Sequence, residues 1–195
     1  MNATVKASRF LRFAETAYPR RVILGDKFRE KDVELIERQL RTFDVESQIP
    51  IVIEIDSNGG LSLDALRLVE IIRSLRSETY GLVTGGCLSS AFLVLQACTV
   101  RLSLPTGKLA VHNNFKGFSI VITADTQEAE LEAFSSMLRG EIKIRSKIRD
   151  EIVASLQKKL THYTRGELIE IMQRKRMMSP EEALIRKFLD EIIRP

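Results

Sequence analysis

A chain of 195 residues, 44% hydrophobic and 29% charged, is long enough to bury its own core, and ten Gly and five Pro are too few for a fibrous or low-complexity protein. Thirty cations and twenty-six anions leave a formal charge of +4, but they are interleaved and no basic face carries aromatic residues, so nucleic acid is not an expected partner. Two His, two Cys and no Trp exclude a zinc finger, a His/Cys metal cluster and a disulfide framework, and leave His112 and His162 as the only imidazoles.

Residues 1–20 are mixed and aperiodic, with Phe10, Phe13 and Tyr18 spaced through them, and read as an N-terminal arm. Arg21–Leu24 is a short β-branched run closed by Gly25 and Asp26, which predicts a first strand. Val33, Ile36, Leu40 and Phe43 then recur at helical spacing over Arg29–Phe43. Ile49–Ile55 is so rich in Ile and Val that it predicts a central strand buried on both faces. A turn over Asp56–Gly60 leads into a helix over Ser62–Leu75, apolar at Leu63, Leu66, Val69, Ile72 and Leu75.

The strand–helix alternation continues. Thr79–Val83 predicts a strand ending at Thr84-Gly85-Gly86, followed by an apolar helix over Ser89–Ala97. Val100–Leu104 and Leu109–His112 predict two short strands around the turn Pro105-Thr106-Gly107. Such alternation argues for βαβ units and a mostly parallel sheet.

After Phe118–Ile122 the pattern becomes helical: Thr126–Leu160 has no Pro, one Gly, and apolar residues at Leu131, Phe134, Met137, Leu138, Ile142, Ile148, Ile152 and Leu156. At 1.5 Å per residue this helix spans about 50 Å, longer than the domain, so part of it should project and seek a partner, most simply another copy of the chain. Two shorter helices are predicted over Thr164–Gln173, N-capped by Thr164, and Pro180–Phe188, N-capped by Ser179 with Glu182 at its third position. With no linker and no repeat, the expectation is one domain, residues 21–195. The longest strongly apolar stretch, Ala91–Leu95, falls far short of the roughly 20 residues of a membrane span. Two Cys without a secretory apolar core point to a cytoplasmic protein.

Two glycine turns follow predicted strands and precede helices, where ligands of parallel α/β sheets bind. Lacking Cβ, they let backbone N–H groups approach a ligand closely. Ser89 and Ser90 follow the second turn at a helix N-terminus, a place that suits an oxyanion and equally suits a helix N-cap. His112 ends a short apolar strand, whereas His162 lies in the polar stretch Lys158–Arg165. No G-x-S-x-G surrounds Ser89, where Cys87 and Ala91 stand instead, and neither a G-x-G-x-x-G nor a Walker lysine motif opens a helix, so no cofactor is expected.

In order, Ile55-Asp56-Ser57-Asn58-Gly59-Gly60, Gly85-Gly86-Cys87-Leu88-Ser89, Leu104-Pro105 and Val111-His112-Asn113 resemble the S-P-G-G, G-x-A-A-S, L-P and I-H motifs of the Clp protease proteolytic subunit (ClpP) family, within the ClpP/crotonase superfamily. Arg21–Gly25 resembles that family's R-I-I-F-L-G strand, Ser179–Ala183 its S-A-x-E-A and Leu189–Ile192 its closing V-D-x-I, so the likeness covers about residues 20–195. The resemblance implies a ClpP/crotonase-like α/β fold, a ββα spiral core with a projecting handle helix near 126–160. It implies a serine endopeptidase with Ser89 as nucleophile, His112 as general base, and the N–H groups of Gly60 and Ser90 as oxyanion hole, and neither metal nor cofactor. The ungapped interval from Gly60 favours Ser89 over Ser90 as nucleophile. It further implies stacked heptameric rings, peptide or protein substrates, and an AAA+ ATPase unfoldase as partner.

Three positions depart from the family pattern. Lys175 stands where the triad Asp belongs, four residues before Ser179; Asn58 replaces the proline; and Cys87 and Leu88 replace the small residues before the serine. A cation cannot orient a histidine ring and opposes its protonation. Glu167, Glu170 and Asn113 are the available substitutes. Lys175 also supports an alternative, a non-catalytic ring subunit. A crotonase-like acyl-CoA enzyme is less well supported, because no Glu flanks either glycine turn.

Overall fold

The computed structural model describes residues 20–112, 122–123 and 125–194. Residues 1–19, Asn113 and most of Phe118–Ile122 lie outside them, so the predicted arm and the segment after His112 are not described. The chain runs β1 (Arg21–Phe28), α1 (Glu30–Glu46), β2 (Ile51–Gly60), α2 (Ser62–Ser74), β3 (Thr79–Leu88), α3 (Ala91–Ala97), β4 (Val100–Ser103), β5 (Lys108–Ala110), α4 (Glu128–Gln157), α5 (Arg165–Arg174), α6 (Pro180–Ile185) and β6 (Glu191–Ile192). It is an α/β fold built on a parallel sheet.

Among the described residues the paired strands all run parallel, in the order β1-β2-β3-β4-β6, and β5 pairs with the far end of β3. Strand β3 changes neighbour along its length: Tyr80–Val83 pair with β4, Gly86–Leu88 with β5. As expected of a central parallel strand, Ile51, Val52, Ile53 and Ile55 are all buried. Ile51, Ile53 and Ile55 join the large core beneath α1–α3, while Val52 faces a smaller cluster with Tyr80, Leu82, Leu102 and Ile193.

Both glycine segments differ from expectation: they are strand, not turn. Strand β2 runs on through Gly60 because Gly25–Phe28 pair with Asp56–Gly60 across a register shift at Asp26/Lys27. This pairing also extends β1 past Leu24. A Cβ on Gly60 would lie 2.3 Å from the Phe28 carbonyl oxygen, so the close approach requires glycine. Likewise β3 continues to Leu88 because β5 pairs with it. Helix α3 consequently starts at Ala91 rather than Ser89.

Helix α4 is shorter than the predicted 126–160 but still about 45 Å long at 1.5 Å per residue. Only its last turns are buried, through Ile152, Val153, Ser155 and Leu156, while Leu131, Met137, Ile142 and Ile144 are exposed. The predicted caps of α5 and α6 form. Thr164 Oγ1 accepts the Glu167 N–H while Glu167 accepts the Thr164 N–H, and Ser179 Oγ accepts the Glu182 N–H. Helix α6 stops at Ile185, before the predicted Phe188, as Lys187 turns left-handed and sends Phe188 into the core against Phe92. Buried Arg101 ties β4 to the chain's end, donating to both carboxylate oxygens of Asp190, to Gln96 and to the Lys187 carbonyl.

Candidate active site

The residues that follow β3 and β5 converge on one narrow cleft. Ser89, Ser90 and His112 open on it, and Leu93, Val111 and Ile152 wall it, with a volume of about 10 Å³ that admits one water. Ser89 follows β3 in the left-handed region, at a φ of 56°. For a residue with a Cβ this costs about 1–2 kcal/mol, so the surroundings must impose it. They do: the Ser89 N–H donates to the Ala110 carbonyl at 2.8 Å, two residues before His112. The in-register pairing of Leu88 with Ala110 delivers both side chains to the same cleft. A hydroxyl and an imidazole on one cleft are the kinds of group that acyl transfer uses.

In β2, Gly59 adopts a φ of +94°, and a Cβ there would lie 2.8 Å from the Leu88 carbonyl oxygen. The two strand ends are thus in direct contact. Asp56 reinforces this by accepting the Gly86 N–H at 2.7 Å, and Ser57 Oγ accepts the Gly59 N–H at 3.1 Å. Asn58, at the family's proline position, donates to Asp26 at 3.4 Å. Ser90 bridges the strand ends. Its Oγ accepts the Gly60 N–H at 2.6 Å and donates to the Gly60 carbonyl at 2.9 Å. Ser90 occupies the N-cap position of α3 yet its side chain does not cap that helix. Sequence reading treats Ser90 as a source of a backbone N–H and misses this hydroxyl; its pairing with a residue thirty positions away leaves no local signal.

Lys175 is exposed and left-handed, at a φ of 49°, at the C-cap of α5. An antiparallel bridge joins Met178 to Leu109 through N–H···O bonds of 2.7 and 3.1 Å. Lys175 lies three residues before Met178, and His112 three residues after Leu109. Of the substitute acids, Glu167 is held in the α5 capping box and Glu170 pairs with Arg174; Asn113 lies outside the described residues. His162 rests on Tyr163 and lines no part of the cleft. Cys87 is fully buried and its thiol is pushed far up by burial, which keeps it from acting as a thiolate nucleophile. Among the described residues no three His, Cys, Asp or Glu side chains gather to hold a metal, and no helix is long and apolar enough to cross a membrane.

A family profile described as Clp protease matches residues 6–195. The chain is 26% identical over 154 residues to the ATP-dependent Clp protease proteolytic subunit of Deinococcus radiodurans, across 76% of this chain and 69% of that protein. It superposes on a point mutant of ClpP1 from Listeria monocytogenes with a TM-score of 0.68 at 22% identity, covering 90% of this chain and 92% of that one.

Proposed function

This chain belongs to the Clp protease family of serine peptidases, and from that premise we propose that it cleaves peptide bonds at the Ser89/His112 cleft inside an oligomeric chamber. The observation that carries the reading is the strained turn at Ser89, tied to Ala110 so that its hydroxyl shares a cleft with His112. In the reaction Ser89 Oγ attacks the scissile carbonyl while His112 takes its proton. His112 then gives that proton to the leaving amine, and water repeats the sequence on the acyl-enzyme. The Ser90 and Gly60 N–H groups serve as oxyanion donors, each typically worth on the order of 10²–10³ in rate.

Lys175 holds the position from which an acid would orient His112. Loss of a triad acid typically lowers kcat about 10⁴-fold, so this is a slow, dyad-like peptidase. Residues 21–195 act as one unit with residues 1–20 as an arm. The exposed apolar residues of α4 suit handle-to-handle packing of stacked heptameric rings, with an AAA+ ATPase unfoldase feeding substrate in the cytoplasm.

Lys175 favours a second reading, a non-catalytic ring subunit. A fluorophosphonate or β-lactone probe with the adduct mapped by mass spectrometry separates the two. Labelling at Ser89, lost in Ser89→Ala, supports the peptidase. A folded oligomer that takes no label is the ring subunit. Light scattering far above 22.2 kDa is expected, and a clean monomer would refute the chamber.

A further inference from the structure

The oxyanion site assigned above is closed by a side chain of its own. Ser90 Oγ sits 2.6 Å from the Gly60 nitrogen and takes its N–H, and at 2.9 Å it gives its only proton to the Gly60 carbonyl. A hydroxyl has one proton. Engaged this way, Ser90 offers none to an oxyanion and also occupies the donor that Gly60 would offer. Ser90 is 4% exposed, so water does not compete for these bonds. The fit is enforced from the glycine side as well, because a Cβ on Gly59 would lie 3.0 Å from Ser90 Oγ.

We infer that Ser90 is a positioning residue that latches the Gly60 amide and closes the oxyanion hole until its side chain rotates away. The inference rests on the Ser89 peptidase reading and adds a control to it. A bound carbonyl must displace the Ser90 hydroxyl before it reaches the Gly60 N–H, so only the unlatched fraction of molecules reacts at full rate. The latch is made by one side chain on one peptide unit, so a single substitution removes it. Ser90→Ala deletes the hydroxyl, keeps the backbone N–H of residue 90 and suits the start of a helix.

The test compares the full-length oligomer of the natural chain and Ser90→Ala. Two quantities are measured: the second-order rate of fluorophosphonate labelling at Ser89, and hydrogen exchange at the Gly60 amide. The latch predicts labelling about tenfold faster or more in Ser90→Ala, since two hydrogen bonds no longer oppose opening. It also predicts faster exchange at Gly60 while exchange in β2 at Ile53 is unchanged. General loosening of the fold would speed both amides and slow labelling, and that result overturns the latch. Equal labelling in the two proteins overturns the latch and leaves the peptidase standing. No labelling at Ser89 in either protein overturns the peptidase and the latch with it.

Discussion

Replacing Lys175 by Asp reverses the charge at the position proposed for the acid that orients His112. The bridge between Leu109 and Met178 joins the two segments that carry these residues. A charge acts on a neighbouring group's protonation within about 4–6 Å, and we take about 5 Å for residue 175 in the proposed triad position. At that distance two unit charges in water's dielectric interact by about 0.8 kcal/mol, and Lys175 is exposed, so water's value applies. Changing +1 to −1 therefore stabilises the imidazolium formed in the transition state by about 1.7 kcal/mol, or between about tenfold and twentyfold in rate. A hydrogen bond to the ring adds to this, up to the roughly 10⁴ that a triad acid is worth. Lys175→Ala removes only the cation and should gain about fourfold. The Asp variant carries no folding penalty at this place, since Asp tolerates the left-handed backbone of residue 175 better than most side chains do. The assay is kcat/KM on a fluorogenic peptide, with oligomer size checked by light scattering. An Asp variant no faster than the Ala variant would refute the placement of residue 175 beside His112.

Other consequences concern the scaffold. Gly59→Ala forces a Cβ onto a backbone with a φ of +94° and against the Leu88 carbonyl. The backbone part alone costs about 1–2 kcal/mol, which for a domain of this size lowers Tm by about 2–8 °C in calorimetry. Arg101→Ala strands the buried Gln96 side chain and the Lys187 carbonyl as well as Asp190, and a loss of about 2–4 kcal/mol is expected in urea unfolding. Burial disfavours the charged form of Asp190, but the hydrogen bonds and charge of Arg101 outweigh it and hold the carboxyl below its ordinary value. A carboxyl depressed in the folded state adds stability that is complete above about pH 5 and is lost as pH falls below about 4 through the folded value. Urea unfolding at pH 7 and pH 3 should show a smaller loss in Asp190→Asn than in the natural protein. The Cys98 thiol is pushed up to about 12, chiefly by burial, and Cys87 is likewise raised by burial, so the native protein should not react with a disulfide reagent at pH 8 while the urea-unfolded chain takes up two equivalents.

The fold could be read from the sequence wherever one segment carried its own reason for its structure. Ile51, Ile53 and Ile55 face the large core and Val52 the smaller cluster, as the composition says, whereas Glu54 is half-buried and pairs with Arg21. Thr164 with Glu167 and Ser179 with Glu182 are local pairs, so the starts of α5 and α6 are visible without the rest of the chain. The glycine segments fail for the opposite reason. Asp56–Gly60 has turn composition, but it is strand because Gly25–Phe28 lie beside it, and the Thr84–Gly86 segment is strand because Lys108–Ala110 continue the pairing beyond it. Pairing between distant segments overrides local preference, and composition does not record it.

The same distinction divides the site. Ser89 and His112 are the residues that the family resemblance selects, and the strand pairing of Leu88 with Ala110 explains how they come to one cleft. The groups that restrain them are not readable in the same way. Lys175 is singled out only by its place four residues before Ser179 in the family pattern, and Ser90 matters through a hydroxyl that bonds Gly60 rather than capping α3. In the proposed reaction the two features act on different parts of one barrier. Lys175 bears on the charge of the base, Ser90 on the donors for the oxyanion, and these develop on opposite sides of the attacked carbonyl. Their effects therefore multiply, and a chain with an intact nucleophile and base can still be slow because each half of the charge separation meets its own obstacle.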